Sequence, residues 1–205
     1  MDFRSLLRDA LQNIGDEFAP DALAYLALTS KPEFVIRDQL AFHLHRQLAD
    51  DGLISAREWK RADLALLREH APAVLLELKA MYTFDALRRN GSPAEYECLV
   101  RQDIEKALRL AEPETQVFAL LLATHPHGPI ADKYAGVVKY LRKWNGELAR
   151  NREAEVVREQ AHAQVSKWFP AAPGIEIGSI PAGEAFGVRV SVEYWLLGPF
   201  IRARA

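Results

Sequence analysis

The sequence is poor in cysteine, in long apolar runs and in net charge, and each shortage excludes a class of protein. Cys98 is the only cysteine among 205 residues, so the chain has no internal disulfide framework and a reducing cytoplasm is the expected compartment. No apolar stretch is long enough to cross a bilayer, and the first residues do not resemble a secretory signal. Because the formal net charge is −2, a contact with nucleic acid has to come from a local basic patch.

The chain does contain enough apolar side chain for one sizeable core, at 49% hydrophobic and 26% charged residues. We therefore expect a single α/β domain over residues 1–205. It divides into a helical N-terminal addition over 1–31, a core over 32–125, and a C-terminal helical region with a terminal hairpin over 126–205.

Three charged residues interrupt two apolar strands near the middle of the chain. Asp63 precedes the apolar run Leu64–Leu67, and Glu77 and Lys79 lie at the end of the apolar run that begins at Ala73. Since side chains alternate between the faces of a strand, Glu77 and Lys79 project from the same face. The pattern therefore predicts that two acids and one amine converge at one end of a hairpin.

Charges in such apolar surroundings are costly unless they are paired or bind a metal. Two nearby carboxylates suit magnesium, with manganese as a substitute, because hard divalent cations prefer oxygen ligands. A lysine beside them can orient or deprotonate an attacking water, or offset the charge that builds up on a phosphorane-like transition state. An ion pair at the end of a strand explains the same residues, and the pattern alone leaves both interpretations open.

The order Asp63, thirteen residues, then Glu77-Leu78-Lys79 resembles the core motif of the PD-(D/E)XK nuclease superfamily, with Ala62 in place of the proline. The resemblance covers roughly residues 32 to 125. It implies a restriction-endonuclease-like core of helix, three strands, helix and strand, and magnesium-dependent cleavage of phosphodiester bonds in nucleic acid, with DNA as the expected substrate. It also implies that Asp63, Glu77 and the carbonyl of Leu78 hold the metal while Lys79 acts on the water.

The helix predicted before these strands, over 32–49, carries Glu33 and Arg37 within its apolar stripe. Nucleases of the superfamily often place one more acidic group there, so by resemblance Glu33 is the candidate for that group. The alternative is a Glu33–Arg37 pair, four residues apart, that closes the end of the core.

The remaining pattern predicts the other elements of the fold. Asp103 falls in the apolar stripe of the helix after the Glu-x-Lys strand and therefore needs a partner, with Lys79, Lys106 or backbone donors as candidates. The other predicted helices cover 3–14, 20–28, 95–111 and 130–169, and the predicted strands cover 53–59, 61–67, 73–78, 115–124 and 188–196. Three details accompany these ranges: Leu99 faces inward, the long helical region is broken near Asn145-Gly146, and Pro72 marks the turn before the third strand.

Several further features allow two interpretations each. The basic residues between Ile130 and Phe169 suit nucleic-acid backbone or a solvated helix face. The terminal hairpin either extends the sheet of its own chain or pairs with a second subunit in a homodimer. His125 and His127 are interpreted as structural, and the Arg88-Arg89 pair can reach a phosphate backbone or simply keep the surface soluble. For the whole chain, the alternative to a nuclease is a catalytically inactive module of the same fold that binds nucleic acid or a protein.

Overall fold

The computed structural model describes residues 1–87, 94–151 and 153–202. Helices and strands are interspersed along the chain, and the fold is α/β. The strands are β1 (Leu53–Trp59), β2 (Ala62–Arg68), β3 (Ala71–Tyr82), β4 (Gln116–Pro126), β5 (Ile175–Ala185) and β6 (Val188–Phe200). The α-helices are α1 (Phe3–Asn13), α2 (Ala22–Thr29), α3 (Glu33–Gln47), α4 (Ala94–Leu110), α5 (Leu141–Asn151) and α6 (Ala154–Trp168).

Within the described residues, six strands form one mixed sheet in the order β1-β2-β3-β4-β6-β5. β3 and β4 run parallel, with α4 in the connection between them, and the other neighbouring strands are antiparallel. A parallel pair needs such a crossover, whereas antiparallel neighbours can be joined by short turns. From α3 to β4 the elements follow the predicted order of helix, three strands, helix and strand.

The two faces of the sheet are covered by different helices, so the central strands are buried on both sides. Leu78 and Leu120 belong to the core under α1, α2 and α3. Leu121 and Trp195 belong to a second core under α4 and α6. This two-sided burial explains why β4 from Val117 to Ala123, and β3 from Ala73 to Leu76, are continuous apolar runs instead of alternating ones.

Short turns join β1 to β2 and β2 to β3, and the second of them lies before the turn that the sequence predicts. Both residues of the Lys60-Arg61 turn and of the Glu69-His70 turn have positive φ, as a type I′ hairpin requires. Pro72, predicted to mark a turn, lies inside β3 opposite Leu67, beside a register shift in β2. A proline is tolerated there because a bulge leaves a ladder position without its hydrogen bond.

Other boundaries also differ from the prediction. Asn145 and Gly146 lie inside α5, so the predicted break of the long helical region is not there. The Asn145 side chain instead accepts a hydrogen bond from the Ile130 N–H (3.1 Å) and donates one to the Ile130 carbonyl (2.7 Å), which ties the preceding loop to the helix. Leu99, predicted to face inward, is 36% exposed. β4 continues to Pro126, two residues beyond the predicted end.

The terminal hairpin extends the sheet of its own chain. β6 pairs with β4 and β5 pairs with β6, so the hairpin closes the side of the sheet opposite β1. None of the helices in the described ranges combines the length and the apolar character that crossing a bilayer requires.

Candidate active site

The candidate site lies where β2 leaves β3. The register between these two strands ends at the Leu64–Leu76 pair, while β3 continues along β4 as far as Tyr82. Beyond Leu76, therefore, the side of β3 that β2 covered has no neighbouring strand among the described residues. We call this stretch, from Glu77 to Tyr82, the open edge of β3.

Carboxylates replace the missing strand at this open edge. Alternate residues of a strand direct their N–H groups to the same side, so the amides of residues 78, 80 and 82 all face the gap. Each amide is paired, and buried backbone donors demand such partners. The Leu78 N–H donates to Asp63 Oδ2 (2.7 Å), the Ala80 N–H to Glu33 Oε2 (3.1 Å) and the Tyr82 N–H to Asp85 Oδ2 (3.0 Å).

These contacts bring Asp63 and Glu33 to the same edge from two different elements. Asp63 lies in the second position of β2, and Glu33 is the first residue of α3. The carbonyl of Leu78 faces this edge as well, because the N–H and the C=O of one residue in a strand point to the same side. The carboxylates of Asp63 and Glu33 and the carbonyl of Leu78 therefore lie at one edge of β3.

Glu77 and Lys79 project towards α4 and find charged partners there. Lys79 Nζ lies 3.0 Å from Asp103 Oδ2. Lys79 is therefore the partner that Asp103 needs in the apolar stripe of α4. One helical turn further on, Lys106 Nζ lies 3.4 Å from Glu77 Oε1. The ion pairs fix both side chains of the Glu-x-Lys segment on the same face, as the alternation predicts.

The electrostatics of Glu77 are the most unusual feature of the site. Its side chain is 2% exposed, and burial together with the negative charge of Asp63 raises the pKa of Glu77 to about 8. Glu77 Oε1 is buried and accepts no hydrogen bond among the described residues, and its cationic neighbour there is the Lys106 ammonium at 3.4 Å. An acid of this kind is destabilised as a carboxylate until further positive charge reaches it.

Lys79 and Glu33 are shifted by the same surroundings. Burial by itself would lower the pKa of Lys79, but its hydrogen bond to Asp103 and the nearby negative charges raise that pKa above its usual value. Lys79 is therefore held as an ammonium at neutral pH. Burial raises the pKa of Glu33, an effect that the positive charge of Lys79 partly offsets.

The composition of the site suits a divalent cation bound by few protein ligands. Four acids and two lysines meet here, which leaves a formal charge of −2; the acids are Glu33, Asp63, Glu77 and Asp103, and the lysines are Lys79 and Lys106. No group of three or more His, Cys, Asp or Glu side chains in the described ranges is arranged to hold a metal by itself. Magnesium does not need such a cage, since it commonly takes one or two carboxylates and retains several waters. The buried oxygen of Glu77 beside Asp63 is a donor set of that kind.

The alternative proposed for Glu33 is wrong, because Arg37 pairs elsewhere. Its guanidinium lies 2.8 Å from Asp38 Oδ1 and 2.9 Å from Glu58 Oε1, and Arg57 also contacts Asp38. Arg37 therefore joins α3 to β1, and Glu33 remains available to the amide of Ala80. Asp85, the third carboxylate of the open edge, was missed in the sequence; its only signal is an acid three residues after the end of a strand.

A second polar cluster lies further along the same face of the sheet. His125 is completely buried, with Nδ1 3.0 Å from Thr83 Oγ1, and its ring centroid lies 4.8 Å from that of His127. Glu193, 1% exposed, accepts hydrogen bonds from Ser191 Oγ (2.6 Å), and its Oε2 lies 2.9 Å from His162 Nε2. The structural interpretation of the two histidines agrees with these contacts, whereas the sequence did not single out Glu193.

Two of the basic residues singled out in the sequence, Arg88 and Arg89, lie outside the described residues. Comparison of the chain with protein-family models, with curated proteins and with solved structures finds no match.

Proposed function

We propose that the chain is a magnesium-dependent nuclease of the restriction-endonuclease-like class that hydrolyses phosphodiester bonds in DNA. The observation that carries the proposal is the meeting of Asp63, Glu77 and Lys79 at the open edge of β3, with one buried Glu77 oxygen that has no hydrogen-bond donor. The order of elements from α3 to β4 supports the same class. The single exposed cysteine suits a cytoplasmic setting.

Each residue has a distinct part in this proposal. Asp63 and Glu77 would hold magnesium together with the carbonyl of Leu78, and the bound cation would supply Lewis acidity towards the scissile phosphate. Glu33 adds negative charge at the same edge and keeps β3 aligned through the amide of Ala80. The cation site therefore assembles from β2, β3 and the first residue of α3.

Lys79 acts through its charge. Its raised pKa keeps the amine protonated, which favours stabilisation of the charge that develops on the phosphate over abstraction of a proton from water. The ion pair with Asp103 fixes the direction of the ammonium before substrate arrives. Preorganised charge of this kind gains from partial shielding from water, and the Lys79 side chain is half-buried, at 24% exposed.

The alternative is a catalytically inactive module of the same fold that binds nucleic acid or a protein partner. The observation that favours it is that both lysines of the site already have acidic partners in this chain, so the charges are partly balanced internally. The proximity of Glu77 to Asp63 argues against it, since burying one acid beside another raises its pKa and costs stability at neutral pH without any return in binding.

Cleavage of plasmid and single-stranded DNA with magnesium or manganese tests the proposal. We expect Lys79→Ala to lower the rate by at least about 100-fold, as the loss of one transition-state donor typically does. The matched control is Lys167→Ala, which removes an exposed lysine of α6. Metal-dependent cleavage that is equal in both variants would rule out the proposed role of Lys79, and binding without any cleavage by the wild-type chain would favour the inactive module.

A further inference from the structure

A short basic and aromatic segment lies beside the end of the open edge. It runs from Lys139 to Lys143 and enters α5, and the exposed residues are Lys139, Tyr140, Arg142 and Lys143. The buried side chains of Val138, Leu141 and Trp144 anchor it at every third position. We call the four exposed residues the Tyr140 patch.

The Tyr140 patch is fixed next to the candidate site by direct contacts. The ring of Tyr140 meets the ring of Tyr82 edge-on at 5.4 Å, and Tyr82 is the last residue of β3. Ala80, whose amide binds Glu33, is two residues earlier, or about 7 Å along the strand. The Lys139 N–H also donates to the carbonyl of Leu28 (2.8 Å), at the end of α2.

The cations of the Tyr140 patch, Lys139, Arg142 and Lys143, have no acidic partner among the described residues. The sequence carries no acid between Asp132 and Glu147. The Lys143 ammonium instead lies 4.9 Å from the centroid of the Tyr140 ring. Unpaired cations beside a site for phosphodiester chemistry are complementary to a polyanion, because the release of its counterions favours binding.

Tyr140 itself is held in an unusual conformation. It is 43% exposed and has φ of +58°, a left-handed backbone that few non-glycine residues adopt. A backbone of this kind costs free energy and persists only where surrounding contacts stabilise it. Here the rings of Tyr82 and Phe84 pack against the Tyr140 ring. An aromatic ring is therefore presented rigidly to solvent in the middle of a basic surface.

We propose that the Tyr140 patch binds an unpaired stretch of DNA, with a base stacked on Tyr140 and the neighbouring phosphates on Lys139, Arg142 and Lys143. Interleaved aromatic and basic side chains are how proteins bind single strands, since every base has a face that can stack. In a duplex the bases are stacked on each other and cannot reach Tyr140. The inference rests on the proposed nuclease function, because it assigns the strand that would lead into the site.

Fluorescence anisotropy with a labelled thymidine homopolymer, in EDTA, tests this inference without cleavage. We expect Tyr140→Ala to weaken binding by at least about 5-fold, while Tyr140→Trp keeps the wild-type affinity. Arg142→Gln should make the slope of log K against log salt shallower by about 0.7. The controls are Phe42→Ala and Arg46→Gln, which change an exposed aromatic residue and the cation 5.8 Å from it on α3.

A duplex of the same length that binds as tightly as the homopolymer would overturn the inference. So would an equal effect of Tyr140→Ala and Phe42→Ala, or binding confined to the RNA version of the homopolymer. The two proposals fail separately. If the wild-type chain binds the homopolymer through Tyr140 but cleaves no DNA, the proposal for the Tyr140 patch stands and the nuclease proposal fails. If Tyr140→Ala cleaves DNA as the wild type does and binds the homopolymer equally well, the nuclease proposal stands and the proposal for the Tyr140 patch fails.

Discussion

Lys79 on β3 and Asp103 on α4 form an ion pair of 3.0 Å, so the α-helix in the connection between the two parallel strands holds the amine of the Glu-x-Lys segment in place. One turn later Lys106 reaches Glu77, at 3.4 Å. α4 therefore does more than cover the sheet. Its two charged side chains fix the directions of both charged residues of that segment.

Asp103→Asn should lower cleavage by about 10- to 100-fold, because a misplaced catalytic group loses rate steeply. The amide no longer holds the ammonium of Lys79 by charge, so the turnover number should fall while KM stays close to that of the wild type. Steady-state kinetics on a single-stranded substrate separates the two constants. A matched control is Glu105→Gln, an exposed acid on the same helix. A rise in KM with unchanged turnover would contradict the positioning role.

Glu77→Gln should change how stability depends on pH. The folded chain keeps the proton of Glu77 up to about pH 8, whereas an unfolded chain releases it near 4.5. Wild-type stability should therefore fall as pH rises through this window, since the folded state binds the extra proton there. The glutamine variant lacks that loss and should unfold a few degrees higher at pH 8, about 2–4 °C for each kcal/mol. Thermal denaturation at pH 5 and pH 8 measures the Tm of both proteins. The same change in Tm between the two pH values in the wild type and in Glu77→Gln would contradict the raised pKa of Glu77.

Magnesium should stabilise the wild-type chain. At about 100 times its dissociation constant a bound ion contributes about 2.7 kcal/mol, or about 5–10 °C in Tm. Asp63→Asn should abolish the shift, while Asp50→Asn, an exposed acid in the turn before β1, should keep it. The ion should also displace the proton of Glu77, so titration calorimetry below pH 8 in two buffers should detect proton release. An equal shift in both variants would place the metal elsewhere.

Glu193→Gln should destabilise the second polar cluster. Burial would raise the pKa of Glu193, but its hydrogen bonds with His162, Ser191 and Ser179 lower that pKa to about 2. The loss of the charged acceptor should cost about 2 kcal/mol at pH 7. Because this stabilisation exists above the ordinary pKa of 4.5 and is lost as pH falls towards 2, the two proteins should converge in acid.

Chemical denaturation at pH 7 and pH 3 measures the difference. Glu184→Gln changes an exposed acid of the same hairpin and should have no effect. A destabilisation of Glu193→Gln that is the same at both pH values would show that packing, and not charge, holds this cluster together.

The sequence alone predicted the elements whose pattern is strongly periodic. The first strand, 53–59, has the predicted bounds, and the order from helix to the last core strand is as expected. The turns were harder to locate, because Lys60-Arg61 and Glu69-His70 adopt positive φ without the glycine or asparagine that usually signals it. In these hairpins the pairing of the strands decides the turn, not the intrinsic preference of its residues.

The residue types and their spacing determined that Asp63, Glu77 and Lys79 could form one site, since alternation along β3 fixes which side chains share a face. The tertiary structure decided what surrounds them. The pairing of β2 with β3 ends at Leu64 and leaves an edge of β3 that carboxylates cap, and where two strands diverge is not recorded in any local pattern. The pKa of Glu77 and the neighbours of Tyr140 likewise come from residues distant in sequence, because burial and charge act through space.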